Sequence, residues 1–208
     1  MKKILLYVLA ALFVYTSPMA DCTVVVGQAV VVGGAVTKWI GFPNSSGTPS
    51  SPTGSWAGYG YAGDRCYWLI RTASENGTAQ AINIRFSAAS SAVGENAWVC
   101  LWNGTTLVGG AAIGANYAND DWTGELTLTV ADGQSLDFST SDTLRIGIAF
   151  DALSAPGSNG LSVDGGSDDS IYYDNSTAIT TAPPTTISES GPSGTAFGLA
   201  VILRYVTR

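Results

Sequence analysis

The 208-residue sequence contains no histidine, and that absence removes more chemistry than any residue in it supplies. Ser-His-Asp and Cys-His nucleophiles are excluded, and so are zinc sites built on imidazole. The three cysteines, Cys22, Cys66 and Cys100, lack the close spacing of a metal site. No glycine-rich phosphate loop stands between a strand and a helix. Charge is scarce, at 12% of residues, with nine basic side chains against sixteen acidic ones. Beyond the leader, no segment of helix length carries a 3.6-residue apolar period, and no internal repeat or heptad pattern is present.

What is present begins with an export signal. Lys2-Lys3, an apolar run from Ile4 to Tyr15, and the small-residue exit Ser17-Pro18-Met19-Ala20 make residues 1–20 a signal peptide helix. The run is too short to anchor the chain across a bilayer. Lipidation at Cys22 is disfavoured because Asp21 precedes it where a small residue is needed. The mature chain keeps seven basic and sixteen acidic residues, a net charge of −9. Such a surface does not attract phosphate backbones, so no nucleic-acid partner is expected, and no membrane association after signal removal. The expected destination is secreted or extracellular, with the periplasm as the other place an exported chain can stop. An oxidising compartment also suits a disulfide, for which Cys66 and Cys100 are the favoured pair; Cys22 bonding to one of them is the alternative.

Period-two apolar alternation between Gly, Asn and Asp turns runs through the centre of the chain. Trp98 to Trp102, Leu126 to Val130 and Leu144 to Phe150 alternate, with turns at Asn103-Gly104 and Asp132-Gly133. Arg65 to Arg71, Ile82 to Phe86, Ile171 to Tyr173 and Phe197 to Val206 add further strands. The fold class expected is all-β, a two-sheet antiparallel β-sandwich with jelly-roll connectivity. The Cys and Trp spacing of an immunoglobulin domain is missing. The expected organisation is signal peptide 1–20, an N-terminal strand or arm 21–40, and one sandwich domain 41–208. Gly41 to Gly63 and Thr180 to Gly194 are expected as long loops.

Several motifs together resemble small jelly-roll modules of secreted bacterial and phage-tail-associated proteins. These are the Glu75-Asn76-Gly77-Thr78 turn, the Trp98 to Leu107 hairpin, the Trp122 to Leu128 segment and the Asp142 to Ile148 strand. Tyr172-Tyr173, Pro183-Pro184 and a last strand ending at Tyr205 complete the set. The likeness covers about two-thirds of the mature chain and implies an architecture similar to that of carbohydrate-binding modules. It brings no catalytic residue.

Candidate chemistry is concentrated in aromatic residues beside polar ones. A sugar ring stacks its C–H face on Trp or Tyr while Asp, Asn or Arg take its hydroxyls. Trp56, Tyr59 and Tyr61 lie in a Gly-rich loop beside Asp64 and Arg65. Tyr117 and Trp122 flank Asn119, Asp120 and Asp121. A calcium ion is the one cofactor contemplated, on Asp164, Asp168, Asp169 and Asp174, although an Asp/Gly-rich turn is the plainer reading. Carboxylates such as Asp120, Asp121 and Glu125 could form a glycosidase pair, but they fall in or near expected turns where solvated charge is ordinary.

The primary expectation is a secreted, non-catalytic module that binds glycan or another cell-surface ligand. One alternative is a structural subunit of a fibre, surface layer or virion decoration, forming homo-oligomers through residues 23–32. A glycoside hydrolase or lyase is the other.

Overall fold

The computed structural model describes residues 24–25, 28–29, 34–42, 54–55, 65–86, 97–113, 121–150, 162–174, 179, 182–190 and 192–208. The chain divides into two compact units, Met1–Val36 and Thr37–Arg208. In the first, β1 (Val24–Val25) pairs antiparallel with β2 (Gln28–Ala29). Residues 1–20, the expected signal peptide, lie outside the described residues.

The second unit contains only strands among its described elements. In chain order these are β3 (Thr37–Phe42), β4 (Gly54–Ser55), β5 (Arg65–Thr72), β6 (Gly77–Phe86), β7 (Ala97–Asn103), β8 (Thr106–Ala112) and β9 (Asp121–Trp122). There follow β10 (Leu126–Thr127), β11 (Thr129–Val130), β12 (Asp137–Phe138), β13 (Thr143–Phe150), β14 (Ser162–Asp174), β15 (Pro192–Leu199) and β16 (Val201–Thr207). Two antiparallel sheets result. The smaller has the order β10-β6-β16-β3, with β9 and β12 also pairing along β6. The larger has the order β11-β8-β7-β13-β5-β14-β15, with β4 on β14.

Alternation determines which side chains enter the space between the sheets. On β13, Leu144, Ile146, Ile148 and Phe150 face inward, and on β6 and β16 Ile82, Ile84, Val201, Leu203 and Tyr205 meet them. Each of these is buried. Burying a side chain of this size stabilises the fold by about 1.5–3 kcal/mol. The expected strand over Leu126 to Val130 is two short ones instead. β10 joins the smaller sheet, β11 joins the larger, and buried Leu128 marks the corner. The last strand is divided in the same way at buried Ala200, with β15 in one sheet and β16 in the other. These corners let one chain segment close both sheets.

Trp39-Ile40, at the end of the expected N-terminal strand or arm 21–40, belongs to β3, a strand of the smaller sheet. Asp164 to Asp169 lies within β14, paired with β15 across a register irregularity between Gly165 and Ser170, where a turn was expected.

The outer face of the larger sheet is roofed. Cys66, Trp68, Cys100, Trp102, Leu107 and Ala149 form a second apolar cluster there, under Ile179 and Ile187. The cover is the expected Pro-rich loop, now an ordered strap over 182–190. Leu107 N–H donates to Thr185 O at 2.8 Å, and Ile187 N–H to Thr105 O at 3.1 Å. Ser188 N–H donates to buried Asp174 Oδ2 at 2.7 Å, and Trp102 Nε1 donates to Pro184 O at 3.4 Å. Gly147 lies beneath the cluster, opposite both Trp68 and Cys100. A Cβ there would stand 1.9 Å from Tyr67 O and 2.8 Å from the Trp68 side chain, so only glycine fits between β5 and β7.

Cys66 and Cys100 are buried thiols, and the expected disulfide between them is absent. The reason is register. Cys66 sits opposite Ala149 and Cys100 opposite Gly147, on the two strands that flank β13. Two inter-strand steps of about 4.8 Å separate their backbones by roughly 10 Å, beyond the ~7 Å that a disulfide spans. Burial pushes the Cys100 thiol well above the ordinary value, and the neighbouring Cys66 adds to that. Cys22 lies outside the described residues.

Candidate functional site

The outer face of the smaller sheet has a different character. Directly opposed residues in an antiparallel sheet point to the same side, so the register shows what that face presents. Trp39, Arg204 and Ala81 form one row across β3, β16 and β6; Gly41, Ile202 and Asn83 form the next. Arg85 and Trp122 oppose each other one row further along, between β6 and β9. A groove of about 240 Å³ opens here, lined by Trp39, Ala81, Asn83, Gly124, Glu125, Ile202 and Arg204.

Local sequence explains each position. β3 alternates Trp39 outward with Ile40 inward, so one strand supplies both a groove wall and a core contact. A bulge at Arg204/Tyr205 leaves Gln80 as the extra residue on β6. Gln80 Oε1 accepts from Arg204 Nη1 at 2.8 Å. Gly124 has φ +75°, a conformation that favours glycine, and it turns the chain directly after β9. Thr123 pins that turn to the sheet. Its N–H donates to Ile84 O at 2.9 Å, and its hydroxyl oxygen accepts from Ile84 N–H at 3.2 Å.

Glu125 then closes the groove. Its Oε2 lies 2.9 Å from Arg204 Nε, an ion pair whose angle falls short of a hydrogen bond. Asn83 Oδ1 lies 3.2 Å from the Thr123 hydroxyl, which leaves the Asn83 amide donor uncommitted among the described residues. Trp39 and Trp122 are both half-buried. The groove therefore offers an apolar ring, an amide, a guanidinium and a carboxylate on a rigid sheet. That is a surface for a ligand with apolar faces and hydroxyls.

Of the residues expected to bind, Trp122 lies on this face and Asp121 beside it in β9, although the Asp121 side chain is outside the described residues. Trp56, Tyr59, Tyr61, Tyr117 and Asp120 also lie outside them. Asp164, Asp168 and Asp169 lie in β14 with their side chains undescribed. Asp174 is 1% exposed and accepts from Ser188 N–H, so it anchors the strap. Among the described residues no group of three or more acidic or cysteine side chains could hold a metal ion. Sequence reasoning did not nominate Trp39, Asn83 or Arg204 as binding residues. The available signal was Arg204, a cation inside an otherwise apolar strand, with Trp39 alternating against Ile40.

No protein-family model, curated protein or solved structure matches this chain.

Proposed function

We propose that this protein is a non-catalytic, exported binding module that takes a glycan on the outer face of the smaller sheet. The observation that carries the reading is the groove. Trp39 stands beside Arg204, Glu125 and Asn83, and Trp122 shares the face. From Trp39 to Trp122 is two rows and three strand steps, roughly 20 Å along a diagonal. That length suits a chain of several sugar rings better than a single small molecule. The strand order supports the finer architecture as well: β3, β16, β6 and β10 against β5, β13, β7 and β8 is the arrangement two Greek keys produce in a jelly roll. In that reading the β14–β15 hairpin is an addition to the flank of β5. The signal peptide makes the module a secreted one.

A hydrolase is less well supported. Among the described residues the groove lining has one carboxylate, Glu125, already paired with Arg204, whereas glycoside hydrolysis uses two. The assembly reading has an observation of its own. β3 is an edge strand with no second partner among the described residues, whereas three short strands pair along β6. If the apolar residues 23–32 of one copy add to the β3 edge of another, light scattering will show an assembly that dissociates on deleting residues 21–36.

The test of the glycan reading is a screen of the mature protein against an oligosaccharide array, followed by calorimetry with Trp39→Ala. Loss of an aromatic platform should weaken binding at least about tenfold, or about 1.4 kcal/mol, with the fold intact. Binding that Trp39→Ala leaves unchanged would remove the groove from the reading.

A further inference from the structure

We infer that the groove is built for uncharged sugars, and that Glu125 is the residue that sets this selectivity by occupying Arg204. The inference rests on the glycan reading above and names its ligand class. An arginine on a binding face ordinarily recruits carboxylate or phosphate, because its planar fork matches two oxygens at once. Arg204 is not offered in that way. Glu125 Oε2 stands 2.9 Å from Nε, Gln80 Oε1 takes the Nη1 donor at 2.8 Å, and Nε is itself buried. The fork is thus committed on two sides within the protein.

The charge around the groove supports the same conclusion. Arg204 and Glu125 cancel, and among the described residues no other charged side chain lines the groove. Arg85, on the same face, is 7% exposed and engaged with its neighbours. An anionic sugar would have to displace Glu125 from Arg204 while lying against its negative charge, which is 48% exposed at the groove edge. A neutral sugar meets no such opposition. Its hydroxyls can give a hydrogen bond to Glu125 and receive one from Asn83 and the remaining Arg204 donor, while Trp39 takes its C–H face. Arg204 is then a positioning residue for Glu125, and the pair acts as a polar edge to an apolar platform.

The experiment uses the mature protein, an array of neutral and acidic oligosaccharides, and then a matched pair: the best neutral ligand and the same chain oxidised at C6 to uronic acids. Wild type should prefer the neutral form by about tenfold or more, and Glu125→Gln should shift the ratio toward the acidic form by a similar factor. The double variant Glu125→Gln/Arg204→Gln should not gain acidic binding, because the freed guanidinium is gone. Unchanged melting temperatures would separate these effects from unfolding. A wild type that prefers acidic sugars would overturn the inference and leave the glycan reading intact. A Glu125→Gln variant with the wild-type ratio would overturn the role of Glu125. No binding to any sugar would sink the glycan reading and the inference with it.

Discussion

The outer face of the larger sheet carries Trp68, Trp102 and half-buried Trp98, that of the smaller sheet Trp39 and Trp122, and the protein treats the Trp68–Trp102 and Trp39–Trp122 pairs in opposite ways. On the larger sheet Trp68 and Trp102 are fully buried, with ring centroids 6.0 Å apart, under the strap at 182–190. On the smaller sheet Trp39 and Trp122 are half-buried among Arg204, Arg85, Asn83 and Glu125. What separates the two faces is the company the tryptophans keep. Thiols, alanine and glycine surround the first pair, leaving a smooth apolar surface that requires a cover. Charged and amide side chains surround the second, so Trp39 and Trp122 can stay partly in water. A tryptophan facing outward is therefore no sign of a binding site until its neighbours are known.

The most severe way to test this contrast is to remove one tryptophan from each face. Trp102→Ala should cost about 3–5 kcal/mol in a denaturant titration, because it empties a closed site and strands the Pro184 carbonyl. Trp39→Ala should cost roughly 1–2 kcal/mol, since the residue is only partly buried. Equal losses would mean that the smaller sheet is also covered, and would remove its claim to a ligand. Asp174→Ala should fall between these, at about 1–3 kcal/mol, by leaving the Ser188 N–H without its acceptor. Amide exchange should then speed up at Leu107 and Ile187, the strap's own backbone contacts, while the smaller sheet stays protected.

Some of this was legible in the sequence. β5, β7 and β13 alternate over seven or eight residues each, and alternation of that length leaves little choice of structure or of buried face. The Asn103-Gly104 turn likewise fixed the β7–β8 hairpin, with Gly104 at φ +59°. The corner at Leu128 was not legible, because a run of alternating residues looks the same whether it stays in one sheet or crosses to the other. The thiols were misjudged for a related reason. Alternation shows that Cys66 and Cys100 share a face, but not that β13 lies between them. The groove depended on register as well. Trp39, Asn83 and Arg204 stand far apart in sequence, and only the pairing of β3, β16 and β6 makes them neighbours.

The smallest expected effect lies in how the two sheets are fastened. The larger one is held by apolar burial and by strand and strap backbone hydrogen bonds, which acid leaves alone. Two carboxylates are added at the strap: buried Asp174 on Ser188 N–H and Glu189 on Arg145. The rim of the smaller one is sewn by carboxylates. Glu75 accepts from Lys38 Nζ at 2.7 Å and from the Tyr205 hydroxyl at 2.7 Å, joining β3 and β16 to the turn before β6. Asp137 accepts from the Thr78 hydroxyl at 2.7 Å and pairs with Arg208. The hydrogen bonds from Lys38 and then Tyr205 hold the Glu75 carboxyl below its ordinary value, and those from Thr78, Ser135 and Arg208 do the same for Asp137. A carboxylate whose folded pKa is depressed contributes stability above its unfolded pKa and loses it as pH falls through the folded one. Both side chains are about a third exposed, so the effect is a loosening rather than an unfolding. Amide exchange measured from pH 6 down to about 3 should show protection fading first in β3 and the end of β16, with β7 and β13 unchanged. Glu75→Gln should bring the same pattern to neutral pH. If β7 and β13 instead lose protection together with the rim as the pH falls, the two sheets are fastened by the same forces, and the contrast between them is wrong.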